Sequence, residues 1–224
     1  MILPLQIALA IIMPIEWVAA GKRWVRIRMI TKPLSLILLI VIFSALGGWM
    51  NSGFWFGFGL LFSLFGDIFL LCRPRFFIVG LFSFLLAHVF YIIGFLNGSF
   101  EISWMTLIPL FLVVVFCVMV YPRIIGGVRR RMEHKRLWLP VLLYMITITV
   151  MLFSAWMTWF KPQWTDLAPF FASLGALSFT ISDTVLATGR FLRPVPYGNF
   201  LVMFTYHLGQ VGIVIGVLIM LGLL

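Results

Sequence analysis

Two aspartates stand inside otherwise apolar stretches, and they are the side chains of this chain best suited to acid–base chemistry. Asp67 lies in Ser63-Leu-Phe-Gly66-Asp67-Ile-Phe-Leu70, six residues before Arg73. Asp183 lies in Ser178-Phe-Thr-Ile-Ser182-Asp183-Thr-Val-Leu186, seven residues before Arg190. On a helix each would sit about 9–10 Å beneath its arginine. Both have a small residue before the acid and a leucine three positions after it. A carboxylate at such depth in hydrocarbon is costly and turns to the interior of a helix bundle, so two at one level point to a shared cavity. A structural hydrogen bond between helices is the plainer alternative.

Other polar residues fall near the same level. Tyr144 is eight residues beyond Arg136, and Tyr206, His207 and Gln210 follow the loop that ends near Asn199. Ser35 takes the matching level of its own span, with Lys32 at the mouth. His88 and Tyr91 are expected deeper, toward the bilayer midplane. These eight form the expected substrate-binding set, beside Asp67 and Asp183 as the catalytic pair. Several have a bland reading too. His88 suits a neutral histidine bonded to a neighbouring helix, Lys32 a topology anchor, and Tyr91 and Tyr144 a structural role. Glu16, a third carboxylate, is expected at the interface, and His134 in a solvated loop. His88, His207, Asp67 and Asp183 have the chemistry of zinc ligands. No paired-histidine spacing occurs on one helix, however, so neither a metal nor another cofactor is expected.

The elements that must position these groups are membrane spans. Of 224 residues, 63% are hydrophobic and 10% charged, far from a soluble average. Eight apolar stretches approach the ~20 residues a spanning helix needs: 2–20, 33–50, 54–72, 76–96, 103–121, 137–159, 167–188 and 200–222. The expected fold is all-α, a polytopic membrane protein with eight transmembrane helices in a single integral membrane domain over residues 1–224. The likeness of the third and seventh spans suggests two four-helix halves in parallel orientation. The first span lacks a cleavage-site pattern and is expected to be a retained helix.

Fifteen of the sixteen lysines and arginines fall in alternate gaps, and Lys161 alone in the others. The basic gaps hold Lys22 to Lys32, then Arg73 and Arg75, then Arg123 to Arg136, then Arg190 and Arg193. The positive-inside rule therefore puts the basic loops in the cytoplasm and both termini outside. Trp49, Trp55, Trp104, Trp159 and Trp164 are expected at the outer headgroup level and Trp24 and Trp138 at the inner one. The net charge of +10 is explained by short loops facing anionic lipid, and nucleic acid is not an expected partner. Cys72 and Cys117 fall near cytoplasmic ends, where no disulfide is expected.

Several short motifs, in this order and spacing, resemble the YhhN family of membrane proteins, whose characterised members include lysoplasmalogenases. They are Thr31-Lys32-Pro33-Leu34, Gly66-Asp67, Ala87-His88-Val-Phe-Tyr91, Gly175-Ala-Leu-Ser178-Phe-Thr-Ile-Ser182-Asp183, and Tyr206 with Gln210. The fifth span carries no matching motif. The resemblance implies hydrolysis of the vinyl ether bond of a lysoplasmalogen, giving a fatty aldehyde and a glycerophospho-ethanolamine or -choline. It also implies a lysophospholipid substrate in a membrane-lipid setting, expected to be the inner (cytoplasmic) membrane of a bacterium. Oligomeric state is left open.

The residues suit that chemistry. The β-carbon of a vinyl ether is its basic site, and protonation there creates an oxocarbenium ion that water attacks. Such a reaction needs a protonated acid, a base and nearby negative charge, as in two-carboxylate glycoside hydrolysis. A lysolipid in the cytoplasmic leaflet would bring its vinyl ether to the level of both aspartates, with Lys32 placed to meet the phosphate. Two other function classes fit parts of the pattern: a proton-coupled solute or lipid transporter, and a metal-dependent lipid hydrolase. Broken helices at midplane would mark the first, and chelator sensitivity the second.

Overall fold

The apolar stretches all form helices in the computed structural model, which describes residues 2–72, 74–99, 101, 103–130 and 136–224. They are α1 (Leu3–Gly21), α2 (Val25–Ala45), α3 (Gly53–Leu71), α4 (Phe77–Leu96), α5 (Leu107–Arg130), α6 (Trp138–Trp156), α7 (Ala168–Ala187) and α8 (Gly198–Met220). All eight are long and apolar enough to cross a membrane, and the chain is an integral membrane protein. Arg73, Arg131, His134 and Lys135, which the topology reading uses, lie outside the described residues.

Two helices begin or end away from the sequence expectation. Pro33 suits a first helical turn, yet α2 starts at Val25 and carries Pro33 inside it. Arg26, Arg28 and Lys32 are therefore helical rather than in a loop. Likewise α5 continues through Pro122 to Arg130, instead of stopping near residue 121. Lysine and arginine are good helix formers, so a helix runs on through basic residues once it leaves the apolar layer.

Close approach of small residues sets the packing, as is usual where lipid removes the hydrophobic drive between helices. The pair α7–α8 is the most extensive contact, followed by α3–α4. A Cβ on Gly175 would fall 2.5 Å from the Ile213 amide nitrogen and 2.8 Å from the Gly209 carbonyl oxygen. Only glycine lets the two backbones meet there. On α3, a Cβ at Gly66 would come within 2.5 Å of the Phe84 ring of α4. α8 is the most buried helix and α5 the most peripheral, resting on α6 and on the turn Thr188–Leu192 that extends α7. Asp67 stands four residues before the end of α3 and Asp183 four before the end of α7.

Two further side chains with expected interfacial positions are buried in the protein. Glu16, expected at the interface, is wholly buried between α1 and α2. It accepts hydrogen bonds from Thr31 Oγ1 at 2.5 Å and Arg28 Nε at 3.0 Å. A buried carboxylate needs such partners. Trp164, expected at the outer headgroup level, is buried against Phe56 and Phe95. At that end of the bundle Lys161 folds inward, donating from Nζ to the Asn97 carbonyl at 2.8 Å, and burial lowers its pKa from the ordinary value.

Candidate active site

A cavity lies among α2 to α8. Its walls are mainly apolar, with Leu81, Phe84 and Ile148 among them. Its polar groups include Lys32 from α2, Asp67 from α3, Tyr144 from α6, Asp183 from α7 and Tyr206 from α8. A largely apolar wall with a few convergent polar groups suits an amphipathic ligand.

The two aspartates have different surroundings. Asp67 is completely buried. Its Oδ1 is 2.9 Å from Lys32 Nζ, and its Oδ2 accepts a hydrogen bond from Tyr206 Oη at 2.8 Å. The Tyr206 proton is directed by the chain behind it. Tyr91 Oη donates to Gln210 Oε1 at 2.6 Å, and Gln210 Nε2 donates toward Tyr206 Oη at 3.4 Å. Both oxygens of Asp67 thus face donors, the inventory of an ionised carboxylate, which only accepts. Asp183 is only partly buried. Its Oδ2 accepts the Tyr144 hydroxyl, and no further hydrogen bond to Asp183 is seen among the described residues.

Lys32 is not at the mouth. It is 7% exposed, and its ammonium is engaged with Asp67. The early start of α2 accounts for this, because Lys32 lies a full two turns inside the helix rather than at its edge. A second chain of hydrogen bonds fixes the backbone there. Trp17 Nε1, which can only donate, gives its proton to His207 Nδ1 at 2.8 Å. The proton of a neutral His207 is then on Nε2, 3.0 Å from Ser35 Oγ, and Ser35 donates to the Lys32 carbonyl at 2.8 Å.

The expected substrate-binding residues therefore divide. Lys32, Tyr144 and Tyr206 line the cavity with both aspartates. Ser35, His207, Tyr91 and Gln210 stand behind that lining and hold it. His88 also stands behind, its ring edge-on to Tyr144 at 5.3 Å between centroids and to Phe179 at 4.8 Å. Neither His88 ring nitrogen has a hydrogen-bond partner among the described residues. No three His, Cys, Asp or Glu side chains converge in the manner of a metal site among those residues.

Two participants escape the sequence reading. Trp17 is 190 positions from His207, and no local pattern joins them. Arg190 lines the cavity but reads from sequence as one more topology charge.

Comparison with known proteins adds the family. The YhhN family model matches residues 27–217, and the chain belongs to that family. It is similar to lysoplasmalogenase TMEM86A of Homo sapiens, 31% identical over 166 residues, covering 68% of this chain and 60% of that protein. The corresponding protein of Bos taurus is 29% identical over 163 residues, with the same coverage. The chain thus spans about three-fifths of the length of these curated relatives. No solved structure matches it.

Proposed function

We propose that this YhhN-family chain is a lysoplasmalogenase, hydrolysing the vinyl ether of a lysoplasmalogen to a fatty aldehyde and a glycerophospho-ethanolamine or -choline. The observation that carries this reading is the unequal pair of aspartates on one largely apolar cavity, one locked by donors and one open. The names of the related mammalian proteins supply the reaction class.

In this reading Asp183 is the acid. It gives its proton to the β-carbon, and the π electron pair becomes the new C–H bond. Positive charge develops on the α-carbon and the ether oxygen. The Asp183 carboxylate, now the base, takes a proton from the water that attacks the α-carbon. The resulting hemiacetal loses its hydroxyl proton as the bond to glycerol oxygen breaks, and that oxygen receives a proton in turn. No net proton is consumed, and one water is added across the original linkage. Asp67 keeps its charge through Lys32 and Tyr206 and holds a fixed dipole beneath the developing cation, an arrangement that needs no reorganisation during reaction. Tyr144 orients Asp183. The apolar wall receives the hydrocarbon chain and limits water near the cation.

The test is incubation of purified protein with vinyl ether, alkyl ether and acyl lysolipids, with aldehyde detection. Aldehyde should come from the vinyl ether lipid alone, because the alkyl ether has no double bond to protonate. Failure of the wild-type protein to release aldehyde from any vinyl ether lipid would end this proposal.

A further inference from the structure

We propose that the hydrocarbon chain of the substrate leaves the cavity between α4 and α5, so that the seam between these helices is the chain's binding site and the lipid is drawn in sideways from the bilayer. The proposal rests on the lysophospholipid reading of the cavity and names the part that holds the chain.

The cavity is too short to enclose a membrane lipid's chain. The Tyr144 hydroxyl bonds Asp183, and Ile148, which lines the cavity four residues farther along α6, adds about 6 Å of depth. On α5, Tyr121 donates to the Met145 carbonyl at 2.6 Å, and Phe116 lines the cavity five residues deeper, roughly 7–8 Å. On the side of α7 and α8 the way is closed by rings. Phe84 is edge-on to Phe179 and Tyr206, with 6.3 and 6.0 Å between centroids, and His88 is edge-on to Phe179 at 4.8 Å. A chain that fills one leaflet spans roughly 15 Å, half of a ~30 Å hydrocarbon core. An arm of about 6–8 Å takes only about five to seven bonds at about 1.2 Å of projection each. The rest of the chain must leave the protein.

The wall between α4 and α5 is the one that opens. α4 packs on α3 and α6, α5 packs on α6 and on the turn Thr188–Leu192, and among the described residues the two have no extensive contact with each other. Yet both line the cavity, α4 through Leu81 and Phe84 and α5 through Phe116 and Val120. Between Val113 and Ile124 no residue of α5 is buried. A helix that sealed this wall would bury the side chains it turns to the cavity. Small residues let membrane helices close on one another, as α7 and α8 do at Gly175; these lining side chains of α4 and α5 are larger. Phe77, at the start of α4, packs on the cluster that holds Ile124, Val141 and Phe191 and closes the seam at that end. The opening therefore lies farther along, beside Leu81 and Phe116. An apolar slot that runs from two aspartates into hydrocarbon fits a single-chain amphiphile, with its polar end inside and its tail in the bilayer. The fatty aldehyde, whose tail already lies there, leaves by the same seam.

The experiment locates the chain rather than measuring turnover, so that it stands apart from the hydrolysis reading. Wild-type protein in phosphatidylcholine vesicles is irradiated with a 1-O-alkyl lysophosphatidylethanolamine, which cannot be cleaved as a vinyl ether. Three versions carry a diazirine at about the fourth, eighth or twelfth chain carbon, to sample the arm, the seam and the bilayer. Adducts are mapped by mass spectrometry with and without excess unlabelled lipid. The first probe should label the cavity around Tyr144 and Ile148, and the second Leu81, Phe116 or Val120. Both sets should be lost under excess unlabelled lipid. The third probe should leave the cavity lining unlabelled. Competed adducts of the second probe on Phe179, His88 or α8, or of the third on Phe84 or Ile148, show a chain coiled inside the protein and overturn the proposal. So does the lack of any adduct that the unlabelled lipid removes, or the same pattern from a diazirine alkane without a headgroup, which marks ordinary solvation by the bilayer. If wild type releases no aldehyde from vinyl ether lipids yet gives the expected pattern, the hydrolysis reading fails and the seam survives. Aldehyde release with competed adducts elsewhere has the opposite meaning.

Discussion

Removing one member of the Lys32–Asp67 pair should cost far more than removing both. Lys32 Nζ and Asp67 Oδ1 are 2.9 Å apart, and the two side chains are 9% and 0% exposed. Loss of one partner from a buried pair leaves an uncompensated charge and typically costs about 3–5 kcal/mol. At about 2–4 °C per kcal/mol for a chain of this size, Lys32→Met and Asp67→Asn should each lower the melting temperature by roughly 6–20 °C. The double variant removes both charges, and the amide oxygen introduced by Asp67→Asn can still accept the Tyr206 hydroxyl. Replacing a whole buried pair is often nearly neutral, so the double variant should recover most of the loss. Thermal unfolding followed by tryptophan fluorescence in a single detergent measures all four proteins. Two singles at about 3–5 kcal/mol each and a nearly neutral double variant give a coupling energy above the roughly 0.5–3 kcal/mol usual for residues in contact. Singles that melt within about two degrees of wild type, or a double variant as damaged as the sum of the singles, would refute the buried pair.

Asp183→Asn should lower aldehyde release by about a hundredfold or more while leaving the melting temperature close to wild type, because the side chain is partly open and an amide fills the same space. Near-normal turnover by that variant would remove Asp183 from the acid role. Gly175→Val should destabilise the α7–α8 contact by at least about 1–3 kcal/mol, since the added carbon meets the Ile213 backbone; unfolding measurements showing no loss would mean the helices can separate freely. Single cysteines at Ser99 and Arg136, in a background lacking Cys72 and Cys117, should react with an impermeant maleimide from opposite sides of the membrane. Labelling from one side only would reject the positive-inside orientation.

The cost of burying charge in hydrocarbon explains what was legible in the sequence. It confines apolar residues to stretches of fixed length, so eight helices can be counted, and it makes Asp67 and Asp183 conspicuous as exceptions. Periodicity carries no information on which helices touch. The His207–Trp17 bond joins the first and last helices and leaves no local trace. Pro33 sends a misleading signal, since it fits a helix start yet lies inside α2. That one shift moves Lys32 from the mouth to the floor of the cavity and changes its partner from a lipid phosphate to Asp67. Arg190 is hidden for a different reason. The same side chain that satisfies the inside rule can also face a cavity, and only its stack on Phe77, far away in sequence, separates the two. The acid pair could be found from the chain because its cost is local. The division of labour proposed for it could not, because that depends on which donors from other helices reach each oxygen. Asp67 receives Lys32 from α2 and Tyr206 from α8, while Asp183 receives Tyr144 from α6. Two like residues in like positions thus acquire unlike surroundings from tertiary contacts alone.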